Sequence, residues 1–204
     1  MSEPLTVAAV RRVLARHQRR PFSLKVDREL KPASVLVPII DAPAVHGGPR
    51  LILTRRPDEM RTHSGQIAFP GGRRDPEDAS EIACALRETE EELGIPARAV
   101  EVLGALDDTA SPFGYVVTAV VGLVAPDTRL SPNEREVAEV FDVKLSDLIR
   151  HDVFQDLGER EFLGVRQRLS AYQVGDRRIW GLTARLIQNL LELLGYEAQP
   201  VGPN

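Results

Sequence analysis

Cysteine is almost missing from this sequence. The lone Cys84 excludes an intramolecular disulfide and a cysteine zinc cluster, and it points to a reducing compartment. Long apolar runs are missing as well: none approaches the roughly 20 residues that a spanning helix needs. The Arg-rich start, Leu5 to Arg20, lacks the unbroken apolar stretch of a secretory signal, and reads instead as an amphipathic helix with Val7, Val10 and Leu14 on one side. These absences together lead us to expect a cytoplasmic protein with no membrane contact. Positive charge is also lacking. A net charge of −4 gives no whole-molecule pull toward nucleic acid, and basic and aromatic residues are not interleaved, so nucleic acid is not an expected partner. Lysine is scarce beside arginine, whose planar fork suits phosphate, although genome composition alone explains such a bias equally well. Neither an internal repeat nor a low-complexity segment is present.

What remains is ordinary globular material. The 204 residues are 43% apolar and 27% charged, enough for one domain with a core. Strands are expected at Val35 to Ile40, Leu51 to Arg55, Val100 to Leu106, Tyr115 to Val124 and Glu136 to Val143, with a hairpin turning at Gly175-Asp176. Helices are expected from Asp78 or Ser80 to Leu93, over Leu145 to Ile149, and from Thr183 to Leu194. Ile82, Ala85, Leu86 and Leu93 form the inward stripe of the first of these. Strands and helices mix without a strict βαβ rhythm, which predicts an α/β (α+β) fold with a mixed sheet sandwiched between helices. The chain divides into a helical extension (1–30) packed on the domain, the main domain (31–195) and a short tail (196–204).

Most information lies in Arg87-Glu88-Thr89-Glu90-Glu91-Glu92. At about 100° per residue, Glu88 and Glu92 stand one turn apart on one helix face, with Glu91 at its border and Glu90 turned away. Unpaired carboxylates so placed repel, and they crowd the helix end where the macrodipole disfavours negative charge. A helix built for stability alone would place cations there. A solvated acidic face is one account of the run, and a hard divalent cation held by oxygen ligands is the other.

The residues before the run decide between them. From Gly72 through Asp78, Arg87-Glu88, Glu91-Glu92, Gly94 and Ile95, the chain resembles the Nudix box. It departs from that pattern in two places. Asp78 stands where the first Glu belongs, with one extra residue before Arg87, and Thr89 replaces an apolar residue. No metal is therefore assigned to Asp78. The flanks, Leu53-Thr54-Arg55-Arg56 and Met60-Arg61-Thr62-His63-Ser64-Gly65-Gln66-Ile67-Ala68-Phe69-Pro70-Gly71-Gly72, are similar to the extended signature of the coenzyme A diphosphatase branch. So are Glu136 to Phe141 and Ile179 to Arg185. The resemblance covers about Val35 to Leu190.

That resemblance implies the Nudix fold and Mg²⁺-dependent hydrolysis of coenzyme A, with Mn²⁺ as a substitute, to 3′,5′-ADP and 4′-phosphopantetheine. It implies Glu88 and Glu92 as metal ligands, and Glu91 as a further ligand or base oriented by Arg87. Arg55, Arg61, His63, Gly71 and Gly72 are the expected substrate contacts, with Arg56, Arg73 and Arg74 as further cations near the loop. Glu136 and Glu139 are candidates for a late carboxylate reaching the metal. Trp180 reads as core. ADP-ribose, NADH and dinucleoside polyphosphates are the alternative substrates, and a non-catalytic nucleotide-binding module is the alternative class. A homodimer is compatible with the sequence, which does not require one.

Overall fold

Side chains that alternate between two buried faces along the central strands set the layers of the molecule. The computed structural model describes residues 5–23, 29–42, 48–58, 65–162 and 164–197. In β1 (Lys31–Ile40), Leu36 packs to one side and Val37 and Ile39 to the other. β2 (Arg50–Arg55) sets Ile52 against Leu51 and Leu53, and β7 (Tyr115–Val124) sets Val120 and Val124 against Ala119 and Val121. Successive strand side chains face opposite ways, so a sheet apolar on both faces needs cover on both. Helix α2 (Glu81–Leu93) covers one face with Ala85 and Leu93. Helices α1 (Val7–Arg16) and α4 (Leu182–Leu193) contribute Val10, Leu14, Ile187 and Leu190 to the core on the other.

The sheet is mixed, as expected. β1 runs parallel to β7 over its whole length and antiparallel to β2. β2 also pairs with β3 (Ile67–Ala68) and β8 (Glu139–Lys144), and β7 with β5 (Val100–Ala105) and β6 (Thr109–Ser111). The short β4 (Gly71–Arg73) pairs with residues 33–35 of β1, while β2 pairs with residues 39–40. Pro38, which has no N–H to give, falls in the gap between those two partners.

A second sheet departs from the sequence reading. β9 (Phe154–Phe162), β10 (Val165–Val174) and β11 (Arg177–Trp180) follow the short α3 (Leu145–Leu148), in the order β11-β10-β9. Only its last hairpin shows in the sequence. β9 buries Phe154 and leaves most of its remaining residues in contact with solvent, so it carries no alternation to read.

Two further expectations are corrected. β8 begins at Glu139 rather than Glu136, because the N–H groups of Glu136 and Val137 turn back to the Asn133 carbonyl, each at 2.9 Å. The buried face of α2 is Cys84, Ala85, Thr89, Glu92 and Leu93, and Ile82 lies outside it at 42% exposure. Thr89 is accommodated because its hydroxyl donates to the Ala85 carbonyl one turn back, at 2.6 Å.

Candidate active site

The loop before α2 is tied to the helix by a single guanidinium. Ser80, not Asp78, is the N-cap, its hydroxyl oxygen accepting from Ala83 N–H at 3.1 Å. Asp78 is freed for another task. Arg87 donates to it in bidentate fashion, Nε to Oδ1 and Nη2 to Oδ2, both at 2.9 Å. The same guanidinium reaches the Arg73 carbonyl at 3.2 Å, Glu88 at 3.0 Å and Glu91 at 3.1 Å. The Arg87 pair holds the Asp78 carboxyl down to about 2, from an ordinary 3.8. That depression is a stability contribution present above pH 4 and lost as pH falls through about 2.

Glycines let the loop before α2 and the helix meet. Gly71 sits at φ 154, and a Cβ on it would stand 2.4 Å from the Ser34 carbonyl oxygen of the neighbouring strand. A Cβ on Gly72 would stand 2.4 Å from the Glu88 carboxylate, so that carboxylate lies directly on the loop backbone. At the other end of α2, Gly94 takes the left-handed conformation (φ 67) and its N–H closes on the Glu90 carbonyl. The Ser131 and Asn133 N–H groups then donate to the Leu93 and Glu92 carbonyls, at 2.8 and 2.9 Å. This brings the turn bearing Glu136 beside the acidic face.

The glutamates of the run fall into unlike environments. Glu92 is buried at 5% exposure, and burial pushes its carboxyl up to about 7, with Glu136 and Glu88 adding repulsion. The Arg56 charge and the Gly71 N–H pull in the opposite direction. Glu88 is half-buried and is also raised, first by burial, with Glu91 and Glu136 contributing against the attraction of Arg87. Glu91 and Glu90 are exposed. Buried carboxylates raised above their usual range mark a site short of positive charge. Among the described residues, no three acidic, imidazole or thiol side chains converge closely enough to hold an ion by themselves. Mg²⁺ does not ask for that, since it takes one or two carboxylates and fills the remaining positions with water and substrate phosphate. The all-oxygen set of Glu88 and Glu92, pressed on the Gly72 backbone, fits such an ion.

Of the expected substrate contacts, Gly71 and Gly72 lie against the acidic face, and Arg55 stands one residue from Arg56 at the end of β2. Arg61 and His63 lie outside the described residues, as do 1–4, 24–28 and 198–204 of the two terminal segments. Arg74 pairs with Glu81 at 3.6 Å, while the Arg73 side chain is exposed. The two late carboxylates separate: Glu136 faces the cluster, whereas Glu139 is held between Arg55 (3.4 Å) and Arg177. Trp180 is not core. It is 47% exposed and lines a cleft of about 410 Å³ with Arg55, Glu139, Arg177 and Arg178. The alternation around buried Ile179 was the signal that could have placed it.

Residues 30–163 match the NUDIX domain, and the chain belongs to the Nudix family. The Nudix hydrolase NudL of Pectobacterium atrosepticum, itself uncharacterized, is 44% identical over 189 residues, covering 92% of this chain and 95% of the relative. NudL of Yersinia pestis, likewise uncharacterized, is 45% identical over 161 residues and 78% of each chain. The crystal structure of the Nudix hydrolase RenU from M. smegmatis has a TM-score of 0.48 at 26% identity, covering 59% of this chain and 74% of that one. The protein is thus a Nudix hydrolase, of a family that acts on diphosphate bonds of small nucleotide derivatives and generally uses divalent cations. Among the described residues no helix is long and apolar enough to cross a membrane.

Proposed function

We propose that the protein is the coenzyme A diphosphatase its sequence resembles, releasing 3′,5′-ADP and 4′-phosphopantetheine with Mg²⁺ (or Mn²⁺) as cofactor. The observation that carries this reading is the pairing of two desolvated carboxylates, Glu88 and Glu92, with the Gly71-Gly72 backbone and the Arg56 cation. A diphosphate needs that combination: oxygen ligands for a metal, a backbone that allows close approach, and guanidinium forks for the remaining charge.

Glu88 and Glu92 would hold the ion. When bound it supplies Lewis-acid stabilisation of the phosphoryl oxygens and lowers the pKa of its water. Water attacks one phosphorus of the diphosphate in line, and the bond to the bridging oxygen breaks. The water proton passes to a carboxylate of the cluster. Glu91, exposed and hydrogen-bonded to Arg87, is our candidate for that base or for a further ligand, and Glu136 is the candidate late carboxylate. Arg87 is a positioning residue, fixed by Asp78. Arg55, Arg61 and His63 are assigned to the substrate. We take 31–195 as the catalytic domain, with 1–30 as an extension and 196–204 as a tail. The cytoplasm is the proposed location, where buried Cys84, its thiol pushed up to about 11 by burial, stays reduced.

The test is a substrate panel with Mg²⁺: coenzyme A, ADP-ribose, NADH and diadenosine polyphosphate, with products resolved by chromatography. Coenzyme A turned over fastest, with activity abolished by EDTA, is the expected result. Faster turnover of another member would keep the hydrolase and replace the substrate.

A further inference from the structure

Outside the acidic face, the cleft lined by Arg55, Glu139, Arg177, Arg178 and Trp180 is built from parts of the chain far apart in sequence. Its volume of about 410 Å³ lies in the range of small-ligand cavities, roughly 300–1,000 Å³. Its wall is fixed. Glu139 is gripped by Arg55 and Arg177, Arg55 is held further by Asp58 at 3.2 Å, and the Arg177 guanidinium stacks 4.4 Å over the Phe141 ring. Its floor is β11, where Ile179 is fully buried and Arg178 and Trp180 both face outward by the period of the strand. The Arg178 guanidinium has no ion-pair or hydrogen-bond partner among the described residues, and Trp180 offers nearly half its surface to solvent. A free guanidinium two residues from an open indole matches a heteroaromatic base carrying a phosphate. Arg55, at the end of β2, lines the cleft, and the next residue along the chain, Arg56, carries the charge that acts on Glu92.

We propose that this cleft is the subsite for the non-reacting end of the substrate, with Trp180 stacking on a nucleobase and Arg178 taking a phosphomonoester on its ribose. For its identity with the substrate's nucleotide end this rests on the function proposed above, where that end is adenosine 3′,5′-bisphosphate. The subsite then sets specificity, since a nucleotide lacking the extra phosphate leaves Arg178 without its partner.

Trp180 is the sole tryptophan of the chain, so its emission reports on the cleft without any turnover. The full chain is titrated in EDTA with adenosine 3′,5′-bisphosphate, adenosine 5′-monophosphate and 4′-phosphopantetheine. Saturable quenching by both adenine nucleotides is expected, about tenfold tighter for the bisphosphate, with none from phosphopantetheine. Arg178→Ala, an exposed change that leaves the melting temperature alone, removes the preference for the bisphosphate. It raises KM for coenzyme A about tenfold with kcat kept, and leaves dephospho-coenzyme A unaffected. Absence of saturable quenching, or an undiminished preference in Arg178→Ala, overturns the subsite. Wild-type turnover of coenzyme A is measured alongside. Its absence with the quenching pattern intact refutes the substrate and keeps the subsite, while turnover without quenching refutes the subsite alone.

Discussion

The acidic face and the cleft beside it are neighbours built on opposite plans. Every side chain of the acidic face, Glu136 apart, comes from the stretch between Gly71 and Glu92, and local hydrogen bonds from Arg87 hold its loop to its helix. The cleft takes Arg55 from β2, Glu139 from β8 and Arg178 with Trp180 from β11, and exists only once those strands have met. One is a desolvated, repulsive cluster held at a cost to stability. The other is an open, well-paired wall with one unspent cation. Substitutions in the first should therefore trade stability against activity, while substitutions facing the second should change recognition alone.

The sharpest way to break that contrast is Glu92→Gln. Turnover should fall by about a hundredfold or more, because the charge stabilisation tied to the ion is worth several kcal/mol. The metal-free protein should at the same time become more stable. The Glu92 carboxyl sits near 7 when folded against an ordinary 4.5, so wild type loses stability as pH rises across that window, and the variant does not. A thermal melt in EDTA should show a gain of about 1–3 kcal/mol at pH 8 that vanishes below pH 4.5. Equal melts at both pH values would mean that Glu92 is not buried as a charge.

Ile179→Ala against Trp180→Ala separates packing from recognition on a single strand. The first deletes a fully buried side chain and should cost about 2–5 kcal/mol in denaturant unfolding. The second should cost less than about 0.5 kcal/mol yet weaken nucleotide binding. A Trp180→Ala variant as unstable as Ile179→Ala would return Trp180 to the core.

Gly72→Ala asks whether loop and carboxylate must touch. The added methyl would overlap Glu88, so activity should drop about tenfold or more with the fold intact, and unchanged kinetics would detach the loop from the chemistry. Asp78→Asn should leave the chemistry nearest to wild type and cost about 1–3 kcal/mol of stability above pH 4, shrinking as pH falls toward 2 where wild type loses the same ion pair. A loss that is flat across that window would show that Asp78 is not charged in the folded protein.

Legibility followed the same division. The central strands could be read because each is buried on both sides by uninterrupted apolar residues, and α2 because Ser80 and Gly94 mark its ends. β9 could not, since its exposed charges carry no period. Within α2 the apolar residues alone misjudged the rotation: Ile82 turned out and Glu92 turned in, because the burial of a carboxylate against Arg56 and Gly71 is a tertiary fact. The fate of Asp78 was hidden likewise, as nothing in its spacing to Arg87 says that a loop will fold it back onto the helix.

By itself the sequence determined the family, the helix that carries the glutamates and the loop glycines that face them. All of these depend on contacts within a few turns of chain, where periodicity and capping act directly. Only the tertiary structure decided which glutamate is buried, which late carboxylate faces the cluster, and that Trp180 opens onto a cationic cleft. Those outcomes turn on how strands far apart in sequence pack, and packing sets the dielectric, the charge neighbours and the exposure on which the chemistry depends.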